Sequence, residues 1–99
     1  MQMRVVWGKI LPGQWDAFEA AYKRAMTTRG RVTGLRGQWL IRDQNDHDSG
    51  YSITLWESDA DMRAYWDSDK RREITKETQH FFVNQFTITN CDVRDSLEG

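Results

Sequence analysis

The chain has 99 residues and few of the side chains that usually build a core. Val, Ile, Leu and Phe together number 19, a share at which a chain with high net charge stays disordered. The formal net charge is only −1, with charged residues of both signs making up 29%, so self-repulsion does not oppose collapse. There is one cysteine, Cys91, which excludes an intramolecular disulfide and makes a reducing compartment, the cytoplasm, the expectation. No apolar run is long enough to cross a bilayer, and none follows Met1-Gln2-Met3-Arg4 in the manner of a signal peptide. No membrane partner is expected. The densest basic run, Lys70-Arg71-Arg72, is flanked by Asp67, Asp69 and Glu73. It reads as a solvated helix face and not as a nucleic-acid footprint.

Familiar catalytic motifs are missing as well. There is no Gly-x-Gly-x-x-Gly, no P-loop and no Gly-x-Ser-x-Gly. His47, His80 and Cys91 lack metal-ligand spacing. The acidic turn with Asp43, Asp46, His47 and Asp48 places Glu57 twelfth from Asp46, but Tyr51 falls where a calcium loop needs glycine. No metal is therefore expected. Cys91 has no flanking base or basic cluster and reads as an inert thiol.

What the chain does have is five Trp, three Tyr and four Met. Aromatic rings bury large areas each, so a core can be built from few of them. Length suits one domain over residues 1–99, with a polar tail over about 92–99. A core this small is marginal for a lone subunit.

Periodicity divides the chain into elements. Residues 3–10, closed by Pro12-Gly13, read as a strand. Over residues 15–29 the period switches: Trp15, Phe18, Tyr22, Ala25 and Met26 make a helical stripe, and Glu19 can pair with Lys23. Gly30 is a stop signal. Residues 37–43 and 51–57 read as a hairpin joined by the turn-rich "QNDHDSG". Ser58 reads as an N-cap before a short helix carrying Met62, Tyr65 and Trp66. Ser68 caps a further helix over about 69–79, and residues 81–91 form the last strand. The order β-α-β-β-α-β is the ferredoxin-like α+β arrangement, a four-stranded antiparallel sheet with helices on one face.

Such a sheet normally alternates apolar and polar residues, because its second face is wet. These strands do not. Met3, Val5 and Trp7 oppose Val6 and Ile10; Trp39 and Ile41 oppose Leu40; Ile53 and Leu55 oppose Trp56; Phe81 and Val83 oppose Phe82, Phe86 and Ile88. Both faces call for cover, and a second copy of the same sheet in a two-fold homodimer supplies it.

"LPGQWDAFEAAY", "GLRGQWLIRD" and "YSITLWESDADMRAYWDSD" together resemble the antibiotic-biosynthesis-monooxygenase family over roughly residues 3–90. The resemblance implies a dimeric α+β barrel, with a pocket in each subunit between the helices and the sheet. Family members include cofactor-free oxygenases acting on polyphenols and haem-degrading enzymes. The haem-degrading pattern of Asn, Trp and His falls here on Val6, Tyr65 and Thr75, so haem is not expected and no cofactor is assigned.

The implied function is a cofactor-independent monooxygenase, an oxidoreductase acting on a small aromatic or quinol-type molecule. The other reading is a non-catalytic small-ligand-binding or stress-related dimer of the same fold, since fold does not fix activity. The expected catalytic residues are His80, as base for its near-neutral ordinary pKa unless a bound water takes that part, with Trp66 and Tyr65 positioning the ring. Trp7, Trp39 and Trp56 are expected to line the pocket, and Arg42 and Asn84 to meet substrate oxygens.

Overall fold

The computed structural model describes residues 1–97. The expected order holds, with the second helical region divided in two: β1 (Gln2–Ile10), α1 (Trp15–Arg29), β2 (Leu35–Arg42), β3 (Ser49–Trp56), α2 (Asp59–Trp66), α3 (Asp69–Thr75), a single 3-10 turn (Gln79–Phe81) and β4 (Phe82–Asp92). The strands form one antiparallel sheet in the order β2-β3-β1-β4.

Register decides which side chains share a face, because residues directly opposite in antiparallel strands point the same way. Val5 faces Ile53, Ile53 faces Trp39, and Trp7 faces Tyr51. These residues, with Met3, Ile41 and Leu55, lie on one side. Val6 pairs with Ser52 and Ile88, and Arg4 with Thr54 and Asn90. They share the other side with Ile10, Leu40 and Trp56, and this is the side that the helices cover.

The helix α1 docks through Trp15, Phe18, Ala21 and Ala25, all buried. Tyr22 and Met26, expected in the centre of its stripe, flank it and are half-buried. Phe18 meets Trp15 edge-on at 5.3 Å and Phe82 at 5.5 Å. Such offset geometry suits the ring quadrupoles. Ile10 joins this cluster. Gly30 ends the helix at φ 68°, donating its N–H to the Met26 carbonyl. The pair Glu19–Lys23 forms at 3.0 Å.

Both hairpin strands start two residues and end one residue earlier than expected. Asp43 Oδ1 accepts from the backbone N–H groups of Asn45 and Asp46, and Asp46 Oδ1 from that of Asp48. These side-chain bonds tighten the turn, so β3 starts at Ser49. The last helix is shorter than expected, because the chain turns through Thr75 and Thr78 into the 3-10 turn. Phe81, read from sequence as a strand residue opposing Phe82, sits in that turn and meets Phe18 at 6.0 Å. The structure thus moves it into the core.

Candidate functional site

At the other end of the helix-covered face, α2 brings Met62, Tyr65 and Trp66 to one side by their i, i+3, i+4 spacing. Ser58 starts the helix, its hydroxyl oxygen accepting from the Asp61 N–H at 3.1 Å. Gly34 is required beside it: φ is 81°, and a Cβ there would run into the Asp61 side chain. Met62 is buried, and Trp56 behind it has no exposed surface. Trp56 stacks at a tilt on Tyr65, centroids 5.6 Å apart, and Tyr65 meets Trp66 edge-on at 6.0 Å. The Trp56 indole N–H donates to Thr54 Oγ1 at 2.8 Å. Trp56 is therefore satisfied core that backs a wall made by the half-buried Tyr65 and Trp66.

The guanidinium carbon of Arg29 lies 5.6 Å from the Tyr65 ring centroid, and two further arginines meet Trp66. The guanidinium carbon of Arg4, from β1, lies 3.9 Å from a Trp66 ring centroid, and that of Arg71, from α3, lies 4.4 Å away. Both are within cation–π reach of one ring. Ser68 fixes their relation: its Oγ donates to the Tyr65 carbonyl at the end of α2 and accepts the Arg71 N–H at the start of α3. Arg4 donates through Nη1 to Asn90 Oδ1 at a long 3.4 Å. The Nε atoms of both arginines and the Trp66 Nε1 are shielded from solvent and have no hydrogen-bond partner. Burial, and then the neighbouring Arg71 charge, lowers the pKa of Arg4. Arg71 belongs to the basic run read as a solvated face. Lys70 and Arg72 are exposed as expected, but Arg71 turns inward.

The helix layer stops short of β4. Phe86 and Ile88 point to the helix side, opposite Gly8 and Val6, yet are 58% and 43% exposed. The result is an open trough with Val6, Ile88 and Phe86 along its floor and the Trp66–arginine group at one end. Two other concavities lie away from it: about 500 Å³ at the loop Gly30–Leu35 and about 300 Å³ between α1 and β2, with Tyr22, Met26, Gln38 and Leu40 in its lining. Neither includes Trp66.

The other expected site residues are dispersed. Trp7 and Trp39 project from the opposite face of the sheet, and period-2 geometry keeps them from lining a cavity with Trp56, Tyr65 and Trp66 of the same chain. Trp39 is 47% exposed and lies across Gly37. His80 is exposed in the 3-10 turn, its ring 4.2 Å from that of Phe81. It sits beside the Ile10 end of β1, whereas the arginines gather at Arg4. Six residues of strand separate the two ends, about 20 Å. Arg42 is exposed near Trp15 and donates to the His47 carbonyl at 2.8 Å. Asn84 is exposed at φ 62° in the bulge of β4. Sequence reasoning missed Arg4 and Arg71. The signal for Arg4 was a charge on the apolar parity of β1, that of Val6 and Ile10.

A four-stranded antiparallel sheet in β-α-β-β-α-α-β order, with its helices on one side, defines the ferredoxin-like α+β class. The family model for antibiotic biosynthesis monooxygenases matches residues 1–77, and the chain belongs to that family. No curated protein sequence matches the chain. Solved structures similar to it include a Bordetella bronchiseptica protein assigned as an antibiotic biosynthesis monooxygenase, at TM-score 0.82 and 18% identity, covering 93% of this chain and 95% of that one. A Nitrosomonas europaea protein with the same assignment matches at TM-score 0.81 and 10% identity, covering 96% and 100%. A single-substitution variant of SnoaB, a cofactor-independent oxygenase from Streptomyces nogalater, matches at TM-score 0.81 and 14% identity, covering 99% and 97%. At these identities the likeness shows the fold alone.

Proposed function

We propose that the chain acts as a homodimeric, cofactor-independent monooxygenase on a flat aromatic or quinol-type molecule. The observation that carries this reading is the half-buried wall of Tyr65 and Trp66, backed by Trp56 and opening on a trough. Family membership and the SnoaB likeness support it. A flat substrate would lie in the trough along Phe86 and Ile88, with one end against the wall. Loss of a proton makes the substrate an electron donor to O₂. One oxygen atom stays in the product and the other leaves as water. The protein's part is to orient the ring, exclude bulk water and hold the proton acceptor. Because His80 lies at the far end of the strand, a water in the trough is assigned as that acceptor.

The homodimer reading rests on the open sheet face. Met3, Val5, Trp7, Trp39, Ile41, Tyr51, Ile53 and Leu55 share it, uncovered by any helix. Packing the same face of a second copy against it buries these side chains by two-fold symmetry. The second functional reading, a ligand-binding dimer without catalysis, is favoured by one observation: the groups set against Trp66 are arginines, which do not accept protons.

Oxygen uptake separates the two readings. Incubation with quinols and hydroxynaphthacenes is expected to consume one O₂ per substrate oxidised. Trp66→Ala should lower kcat/KM by about a hundredfold, the scale of a misplaced substrate. Binding without uptake would favour the second reading. Lost uptake in folded His80→Ala protein would return the proton-acceptor role to His80.

A further inference from the structure

Two guanidinium groups on one indole ring require compensation. Like charges in a partly desolvated place repel, and none of the ion pairs among the described residues includes Arg4 or Arg71. The Arg4–Asn90 bond brings a neutral acceptor, which cancels no charge. Three donors remain unpaired: Nε of Arg4, Nε of Arg71 and Nε1 of Trp66. Buried polar groups are nearly always paired, and a set of unpaired donors from three elements, β1, α2 and α3, calls for a shared acceptor. Arginine's planar fork matches a carboxylate, whose two oxygens have the lone pairs for several donors. The surroundings define the rest of such a molecule. Phe86 and Ile88 leave an exposed apolar floor on the same side of the sheet as the arginines.

We propose that Arg4, Arg71 and the Trp66 N–H form a receptor for the carboxylate of a flat aromatic acid, whose ring lies along the trough toward β4. The proposal rests on reading the trough as a ligand site, but not on any oxygen chemistry. Arg4 and Arg71 serve binding and orientation, holding one end of the molecule so that a fixed ring carbon faces the open side.

The test uses 2-naphthoate and its neutral isostere 2-naphthamide with the full chain. Indole N–H resonances are followed by NMR, with Trp66 assigned through Trp66→Phe. The Trp66 resonance should shift with naphthoate, and naphthoate should bind about tenfold or more tightly than naphthamide, the scale of a hydrogen-bonded charge. Arg71→Gln should abolish that preference while leaving the Trp56 resonance and near-ultraviolet dichroism in place. Should that variant fail to fold, Arg4→Gln gives the same readout from the sheet side. Equal affinity for the two probes, no naphthoate binding at millimolar concentration, or a preference surviving in a folded arginine variant would overturn the proposal. Oxygen uptake with neutral substrates and no carboxylate preference would sink this inference alone. Carboxylate binding without uptake of O₂ on any quinol would sink the oxygenase alone.

Discussion

The two faces of the sheet use similar side chains and leave them in different states. On the helix side Trp56 and Ile10 are almost wholly buried, and the Trp56 indole N–H has a partner in Thr54. On the open side Trp39 and Ile41 are 47% and 43% exposed, and Trp39 lies across Gly37. Composition does not distinguish the faces, since each carries tryptophan and β-branched residues. What distinguishes them is connectivity, because α1, α2 and α3 all pack on one side. An apolar surface without cover from its own chain is an interaction surface, whereas the covered face is an internal core.

Substitutions on the two faces should therefore fail in different ways. The largest effect is expected from Trp56→Ala, which empties a fully buried site and removes support from Tyr65. It should cost about 3–5 kcal/mol in denaturant unfolding, and an unchanged midpoint would show that the helix side is not the core. Trp39→Glu should act on assembly instead. A charge on the open face, at its β2 edge, should shift sedimentation from dimer to monomer, weakening self-association by about 2 kcal/mol or more, with the far-ultraviolet spectrum retained. A wild-type monomer at all concentrations would remove the asymmetry between the faces as a guide to assembly.

The smallest expected effect concerns the rim of the open face, where Lys9 Nζ meets Asp46 Oδ2 at 2.8 Å. The hydrogen bond from Lys9 lowers the Asp46 pKa, and the bond to Asp46 raises that of Lys9. The Asp46 contribution is present above its unfolded value, about 4, and is lost as pH falls through the lower folded value. The Lys9 contribution is present below its unfolded value, about 10.4, and is lost as pH rises through the higher folded one. Both are solvent-screened, so Lys9→Met should lower stability slightly across the middle of the range and converge on the wild type at the acidic and alkaline ends. Thermal melts across pH check this.

Much of the fold was legible because its signals are local. The helical stripe from Trp15 to Met26, the Ser58 and Ser68 caps and the acidic hairpin turn are each written within a few residues. Boundaries moved where side chains competed with the backbone, as Asp43 does in the turn that lets β3 begin at Ser49. The pocket was less legible. Tyr65 and Trp66 could be placed on one helix face, but grouping them with Trp7 and Trp39 ignored that strand parity sends those rings to the other side. The arginine pair was beyond local reading altogether. Arg4 and Arg71 meet only through Trp66, across most of the chain, and Arg71 looked like one more solvated cation in Lys70-Arg71-Arg72. Tertiary contact turns one member of that run inward, and no periodicity within the run marks which.

The bulge in β4 separates two kinds of duty along a single strand. Between Ile10 and Gly8 the facing strand gains extra residues, with Asn84 at φ 62° among them, a conformation asparagine tolerates better than most residues. Because Phe82 pairs with Ile10 and Phe86 with Gly8, the side-chain phase survives the insertion. Phe82 on one side of it is committed to the core around Phe18, while Phe86, Ile88 and Asn90 on the other line the trough. The irregularity works as a splice: side chains in the distal half of the strand can change without disturbing the proximal half, which keeps the domain folded.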